Sequence, residues 1–263
     1  MAAKQRGAEN SEFDSLLRAA ERFVFLVGRL CQRRADTGDS KFYRLAGEVF
    51  RGEQSLSEAT AAIRDSTERF FSLEKATTDM RDLFRRGEDG FYGWQGLRYF
   101  LFEYEQFLKE QASMNTTRLN WQHFTTSKKD HVTIEHICPQ TPTAGDWPEF
   151  QVKSKKERNV LRNSLGNLLA LSQSRNSKLS NRPFAVKKQN ADGVIGYSNG
   201  SYSEIAVSRL AYWTPSEVFE RGLSMLDFLE KRWDVSLGTR EQKLAFLHLG
   251  DDGAEGESAV DIL

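Results

Sequence analysis

Cysteine is nearly absent from this 263-residue chain: Cys31 and Cys138 are the whole complement, and no C-x-x-C pair occurs. Two isolated thiols exclude a four-cysteine zinc cluster, so no structural zinc is expected. A disulfide between them is not expected either, because the reading is cytoplasmic and the polar, charged N-terminus lacks a signal-peptide pattern. No apolar run reaches the roughly 18 residues of a membrane span, so no membrane partner is expected. A glycine-rich phosphate loop of the GxxxxGK[ST] type is missing, so the sequence gives no sign of an NTP-binding module. Net charge is missing too. Lys plus Arg and Asp plus Glu number 37 each, which removes any global basic signal for nucleic acid.

The charge that is present is unevenly placed. Residues 151–190 carry Lys153, Lys155, Lys156, Arg158, Arg162, Arg175, Lys178, Arg182, Lys187 and Lys188 against one acid, Glu157. The last fourteen residues carry Asp251, Asp252, Glu255, Glu257 and Asp261 and no base. Averaging over the chain hides this polarity.

Apolar spacing predicts a mainly α fold. Residues 1–12 read as a disordered lead. Phe13, Leu16, Leu17, Ala20, Val24, Val27 and Leu30 form one helical stripe. A helix over about 41–51 follows, with Ser40 placed to cap it. Ser55-x-x-Glu58 is a capping box opening a helix to about Leu73, and residues 74–87 look helical as well. Trp94, Leu97, Leu101, Tyr104 and Leu108 mark a further helix. Residues 131–137 are β-branched and alternate weakly, which predicts a strand ended by Pro139. A basic helix over about 154–163, a second strand over 165–172 and a short helix from about Ser174 follow. Residues 191–202 read as a loop. Thr214-Pro215-Ser-Glu217 is a strong helix start, with Val218, Gly222, Leu226, Leu229 and Trp233 facing one way. Five tryptophans could stack on bases, but most sit at core spacing. From about Gly238 the pattern is lost and a mobile acidic tail is expected.

Chemistry concentrates in three short segments: Ile134-Glu135-His136-Ile137-Cys138-Pro139-Gln140, then Leu165-Gly166-Asn167-Leu168, then Asn176-Ser177-Lys178. Those residue types suit one-metal hydrolysis of a phosphodiester. Glu135 and Asn176 can offer oxygens to Mg2+ or Mn2+, and the His136 imidazole can deprotonate water. The competing readings are a structural histidine, a salt-bridged Glu135 and a helix-capping Asn176. In an ideal strand residues 135 and 136 point to opposite faces, so sharing one phosphate requires the strand to end or twist there. Asn167 is expected to bridge the loop between the strands by hydrogen bonds and so hold the base without touching metal; a plain turn asparagine after Gly166 competes. Lys178, Arg182, Lys187 and Lys188 are expected to grip flanking phosphates, with a merely solvated basic face as the alternative. Asp130-His131 lacks the following Ile-x-Pro pattern and reads as a strand edge.

These segments resemble the HNH (ββα-metal) nucleases, most closely the C-terminal HNH region of GmrSD-type restriction endonucleases. The likeness extends through Asn181, Pro183-Phe184, Lys187, Tyr197, Trp213, Arg221 and Trp233, and upstream through Gly93-Trp94, Leu97-Arg98-Tyr99 and Glu103-Tyr104-Glu105. The resemblance implies a helical domain over 13–125, a nuclease domain with C-terminal helices over 126–237, and a tail over 238–263. It also implies a DNA endonuclease or nickase serving prokaryotic defence against phage or modified DNA. An NTP-using or modification-sensing partner would then lie outside this chain, which would be a nuclease subunit or the C-terminal half of a longer protein. Two other readings stand beside it: a non-catalytic nucleic-acid-binding module on a relic HNH fold, and the same chemistry aimed at RNA.

Overall fold

The computed structural model describes residues 10–86, 89–113, 116–125, 132–143, 145–190 and 193–249. Most of the expected lead, the Asp130-His131 pair and the acidic stretch after residue 249 lie outside these residues. The fold is mainly α, as the spacing predicts. The helices are α1 (Asn10–Phe23), α2 (Asp39–Arg51), α3 (Leu56–Phe70), α4 (Leu73–Arg86), α5 (Leu97–Gln111) and α6 (Trp121–Thr125). Then come β1 (Val132–His136), α7 (Pro148–Gln151), α8 (Lys155–Asn163), β2 (Leu168–Ser172), α9 (Gln173–Leu179) and α10 (Phe184–Lys188). Helices α11 (Tyr202–Ser208), α12 (Pro215–Trp233) and α13 (Arg240–Phe246) complete the order.

Side-chain caps fix many of these boundaries. Ser55, Ser154, Ser201, Thr214 and Thr239 each close a capping box with the Glu or Gln three residues on. Helix α2 starts two residues earlier than expected, after Gly38 in the left-handed region, and Ser40 does not cap it. Helix α11 lies beyond the loop expected over 191–202; its free N–H groups at Tyr202 and Ser203 donate to the buried Glu105 carboxylate of α5 at 2.7 and 2.9 Å. Residues 240–246, assigned from the sequence to the tail, instead form α13, and Phe246 and Leu247 are buried.

The first helix departs from its predicted stripe for a physical reason. Beyond Phe23 the backbone widens to π geometry over Val24–Leu30, and Cys31 N donates to Leu26 O five residues back. The extra residue rotates the apolar face. Val24 ends 56% exposed, while Phe25 and Leu26 turn inward. Phe25 then stacks on Trp233 of α12 with centroids 3.6 Å apart. Glu21 accepts the Trp233 indole N–H at 2.7 Å, and Arg22 donates to the Trp233 carbonyl. Trp94, Trp147, Trp213 and Trp233 are buried core residues, as their spacing predicts.

Strands β1 and β2 pair antiparallel, with Val132 opposite Ser172 and His136 opposite Leu168. Helix α9 follows β2 directly, so the expected strand–loop–strand–helix order is present. Both faces of this hairpin are buried. Val132, Leu168 and Ala170 pack into the large core with Phe25, Trp94, Phe100, Phe228 and Trp233. Ile137, Leu169 and Leu171 pack into a second core with Cys138, Trp147, Tyr197 and Trp213. The large core draws on residues from both the 13–125 and the 126–237 stretches and on α13.

Gly166 sits where α12 presses on the turn before β2. A Cβ built there would lie 2.0 Å from the Val218 carbonyl oxygen. Arg221 of the same helix donates to Gly166 O at 2.6 Å and Leu168 O at 2.9 Å. The glycine of Leu-Gly-Asn-Leu therefore serves close packing. Gly166→Ala is expected to destabilise the fold by about 1–3 kcal/mol through overpacking. Urea unfolding measures this, and an unchanged midpoint would refute the packing argument.

Candidate active site

The alternation of β1 decides what each polar residue meets. Thr133 and Glu135 face the second core, whereas Ile134 and His136 face the large one. Glu135 is 4% exposed, and its Oε1 accepts from Lys187 Nζ at 2.6 Å and from the Tyr197 hydroxyl at 2.9 Å. Lys187 also donates to the carbonyls of His136 and Ile137, both at 3.1 Å. Burial pushes the Glu135 carboxyl upward against the lowering pull of Lys187. Lys187 is thus placed differently from the phosphate grip expected of it. It is 0% exposed and neutralises Glu135. A buried carboxylate draws in the nearest cation because an unpaired charge there costs several kcal/mol.

Asn176 of α9 lies on the same face as Glu135. Its Nδ2 donates to Thr133 Oγ1 at 2.9 Å and weakly to Ile134 O. Those bonds commit the amide nitrogen and leave Oδ1 as the oxygen that a hard cation would use. Glu135 does not fit a cation as well. It is buried and already paired, and a dication beside it would face the Lys187 ammonium. Among the described residues no cluster of three or more His, Cys, Asp or Glu side chains suits a metal. Of the expected pair of ligands, Asn176 keeps its Oδ1 open to a hard cation, while the Glu135 carboxylate is engaged by Lys187 and Tyr197.

His136 lies at the end of β1, 8% exposed. Its Nε2 is 3.1 Å from Asn163 Oδ1, while Asn163 Nδ2 donates to Asn159 Oδ1 at 3.2 Å. With the Asn163 amide so oriented, its oxygen accepts, Nε2 carries the ring proton and Nδ1 keeps the lone pair. The Tyr92 ring, partly exposed, covers the imidazole at 4.7 Å between centroids. Burial lowers the His136 pKa to about 4, with the Lys187 and Arg162 charges adding to the effect and the Asn163 bond opposing it. The ring is neutral at pH 7, which is the form a base requires.

Asn167 is fully buried and makes the bridge expected of it. Its Oδ1 accepts from Cys138 N at 2.9 Å and from Trp213 Nε1 at 3.0 Å. Its Nδ2 donates to Cys138 O and to Arg162 O, both at 2.9 Å. It ties the chain after His136 to the end of α8. Of the other basic residues, Lys178 is exposed on α9 and Arg182 is half-buried. Lys188 donates to the carbonyls of Leu210 and Ala211 and lies over the Phe184 ring. Sequence reasoning missed Asn163 and Tyr92, which meet His136 only through the tertiary fold; no local pattern marks either.

Two measurements test this geometry. Glu135→Gln leaves Lys187 buried without a counter-charge and is expected to cost about 3–5 kcal/mol, whereas Glu135→Leu with Lys187→Met costs much less. A stable Glu135→Gln protein without nuclease activity would instead return Glu135 to a direct chemical role. For His136 the folded pKa lies below the unfolded value near 6.5, so the unfolded chain binds the extra proton first. Stability from the neutral ring is present above pH 6.5 and lost as pH falls toward 4. Relative to His136→Gln, the wild type is expected to lose on the order of 2 kcal/mol between pH 7 and 5. Urea titrations at both pH values show it, and parallel losses in the two proteins would contradict it.

Comparison with known proteins agrees with the motif. No curated protein and no solved structure matches the chain. Among the described residues no helix is long and apolar enough to cross a membrane. A family profile described as GmrSD restriction endonucleases, C-terminal domain, matches residues 79–228, which hold the whole hairpin, α8, α9 and the residues around His136. Since that match covers more than half of its length, the chain belongs to the GmrSD restriction-endonuclease C-terminal domain family.

Proposed function

We propose that this chain hydrolyses phosphodiester bonds in DNA as an HNH-type endonuclease or nickase, within a cytoplasmic prokaryotic system directed at phage or modified DNA. The observation that carries the reading is the contact of the buried His136 ring with Asn163 through Nε2, an arrangement that leaves the Nδ1 lone pair for a proton. In the reaction Nδ1 takes the proton of a water as its oxygen attacks phosphorus, and the opposite P–O bond breaks. A phosphodiester anion beside the ring raises its affinity for that proton above the value in the free protein. Asn163 holds the ring in plane as it becomes charged, and Asn167 fixes the chain that follows. A divalent cation, Mg2+ or Mn2+, bound through Asn176 would stabilise charge on the nonbridging and leaving oxygens. Target choice rests with an NTP-using or modification-sensing partner, because this chain lacks a phosphate loop of its own.

Supercoiled plasmid and structured RNA, each with Mg2+, Mn2+ or chelator, test the reading. Metal-dependent conversion of plasmid to open circle is expected, since one site makes one nick. His136→Ala is expected to lower the rate about 10²–10⁴-fold. Equal cutting by the variant would remove the assignment, and cleavage of RNA alone would move the activity to a ribonuclease.

A further inference from the structure

Helix α8 has two working faces. One presents Asn163 to His136, as described. Along another run Lys155, Arg158 and Arg162, spaced i, i+3 and i+7 and therefore stacked on one side of the helix. They wall a cavity of about 280 Å³ whose remaining lining includes Phe150, Pro142 and Cys138, and no acidic residue lines it. Among the described residues none of the three cations meets a carboxylate. Arg158 donates to the Gln151 carbonyl at 3.1 Å, and Arg162 donates to the carbonyls of Arg158 and Gln140. Carbonyls orient these guanidinium groups without neutralising them. Each guanidinium has five donors, so donors remain for an incoming acceptor. Burial, with the Arg158 charge adding to it, holds Arg162 below its usual range, as befits like charges kept together.

The position of this cavity relates it to His136. Cys138 lies two residues past the histidine and lines the cavity, and Arg162 precedes the Asn163 that bonds the ring. From Lys155 to Arg162 the helix rises about 10 Å, long enough to face more than one phosphate of a strand. Lys187, by contrast, is consumed by Glu135.

We propose that the Lys155–Arg158–Arg162 face of α8 is a phosphate-binding track that seats the nucleic-acid backbone beside the bond at which His136 activates water. The proposal rests on the nuclease reading and adds the path of the strand. Such contacts position the backbone without reading sequence, which suits an enzyme whose target is chosen elsewhere.

Salt-dependent DNA binding decides it. Anisotropy of a labelled duplex is recorded against salt with the full chain carrying His136→Ala, so that cutting does not interfere. Lys155→Gln with Arg158→Gln is expected to reduce the slope of log affinity against log salt by roughly 0.9 per lost contact. Arg158→Lys is expected to keep the slope, as is Arg64→Glu, on the exposed side of α3. Thermal melts by circular dichroism confirm that the variants are folded; should the double variant unfold, Lys155→Gln alone must show the single-contact decrease. An unchanged slope in a folded variant, with binding intact, overturns the track and leaves the cleavage reading standing. Failure of the unmutated chain to bind or cut DNA overturns both.

Discussion

A two-stranded hairpin with no solvent face governs this molecule. Strands alternate their side chains, so a hairpin between two cores must send neighbouring residues into different interiors. Glu135 and His136 are adjacent in sequence and separated by the sheet. Each then needs a partner from its own side. The carboxylate takes Lys187 and Tyr197, and the imidazole takes Asn163 and Tyr92. Desolvation acts on both in the direction that favours the uncharged form, and only Glu135 has a cation in contact to oppose it.

Much of this was legible in the residues themselves. Capping boxes at Ser55 and Thr214 announce their helices because the interacting atoms lie three residues apart. Asn167 as a bridge was legible for a related reason: an amide with two donors and an acceptor suits a loop that must be tied twice. Lys187 was not. It stands in a basic run where solvated lysine is the rule, and its burial depends on Glu135, 52 residues away in sequence. The π-helical widening after Phe23 was likewise hidden, since only the stack on Trp233 explains why Phe25 replaces Val24 in the core. Helix α13 was obscured by its proximity to the acidic end.

The local excess of positive charge over 151–190 divides into different uses once folded. Lys187 is internal, Lys188 holds loop carbonyls, and Arg175 pairs with the buried Glu204. What remains for a polyanion is more selective than the sequence suggests. Helix α8 divides its nine residues between two tasks, bonding the His136 ring with its last and carrying Lys155, Arg158 and Arg162 along another side.

The Phe25–Trp233 stack bears on how the family's domain should be understood. The matched segment ends at residue 228 and begins at 79, yet Phe25, Leu26, Leu30, Trp233, Phe246 and Leu247 all lie outside it and fill the same interior as Trp94 and Phe100. The matched segment is therefore not a self-sufficient module here. Flanking helices finish its interior, so insertion of this domain into other contexts would have to carry them along or supply an equivalent aromatic lid.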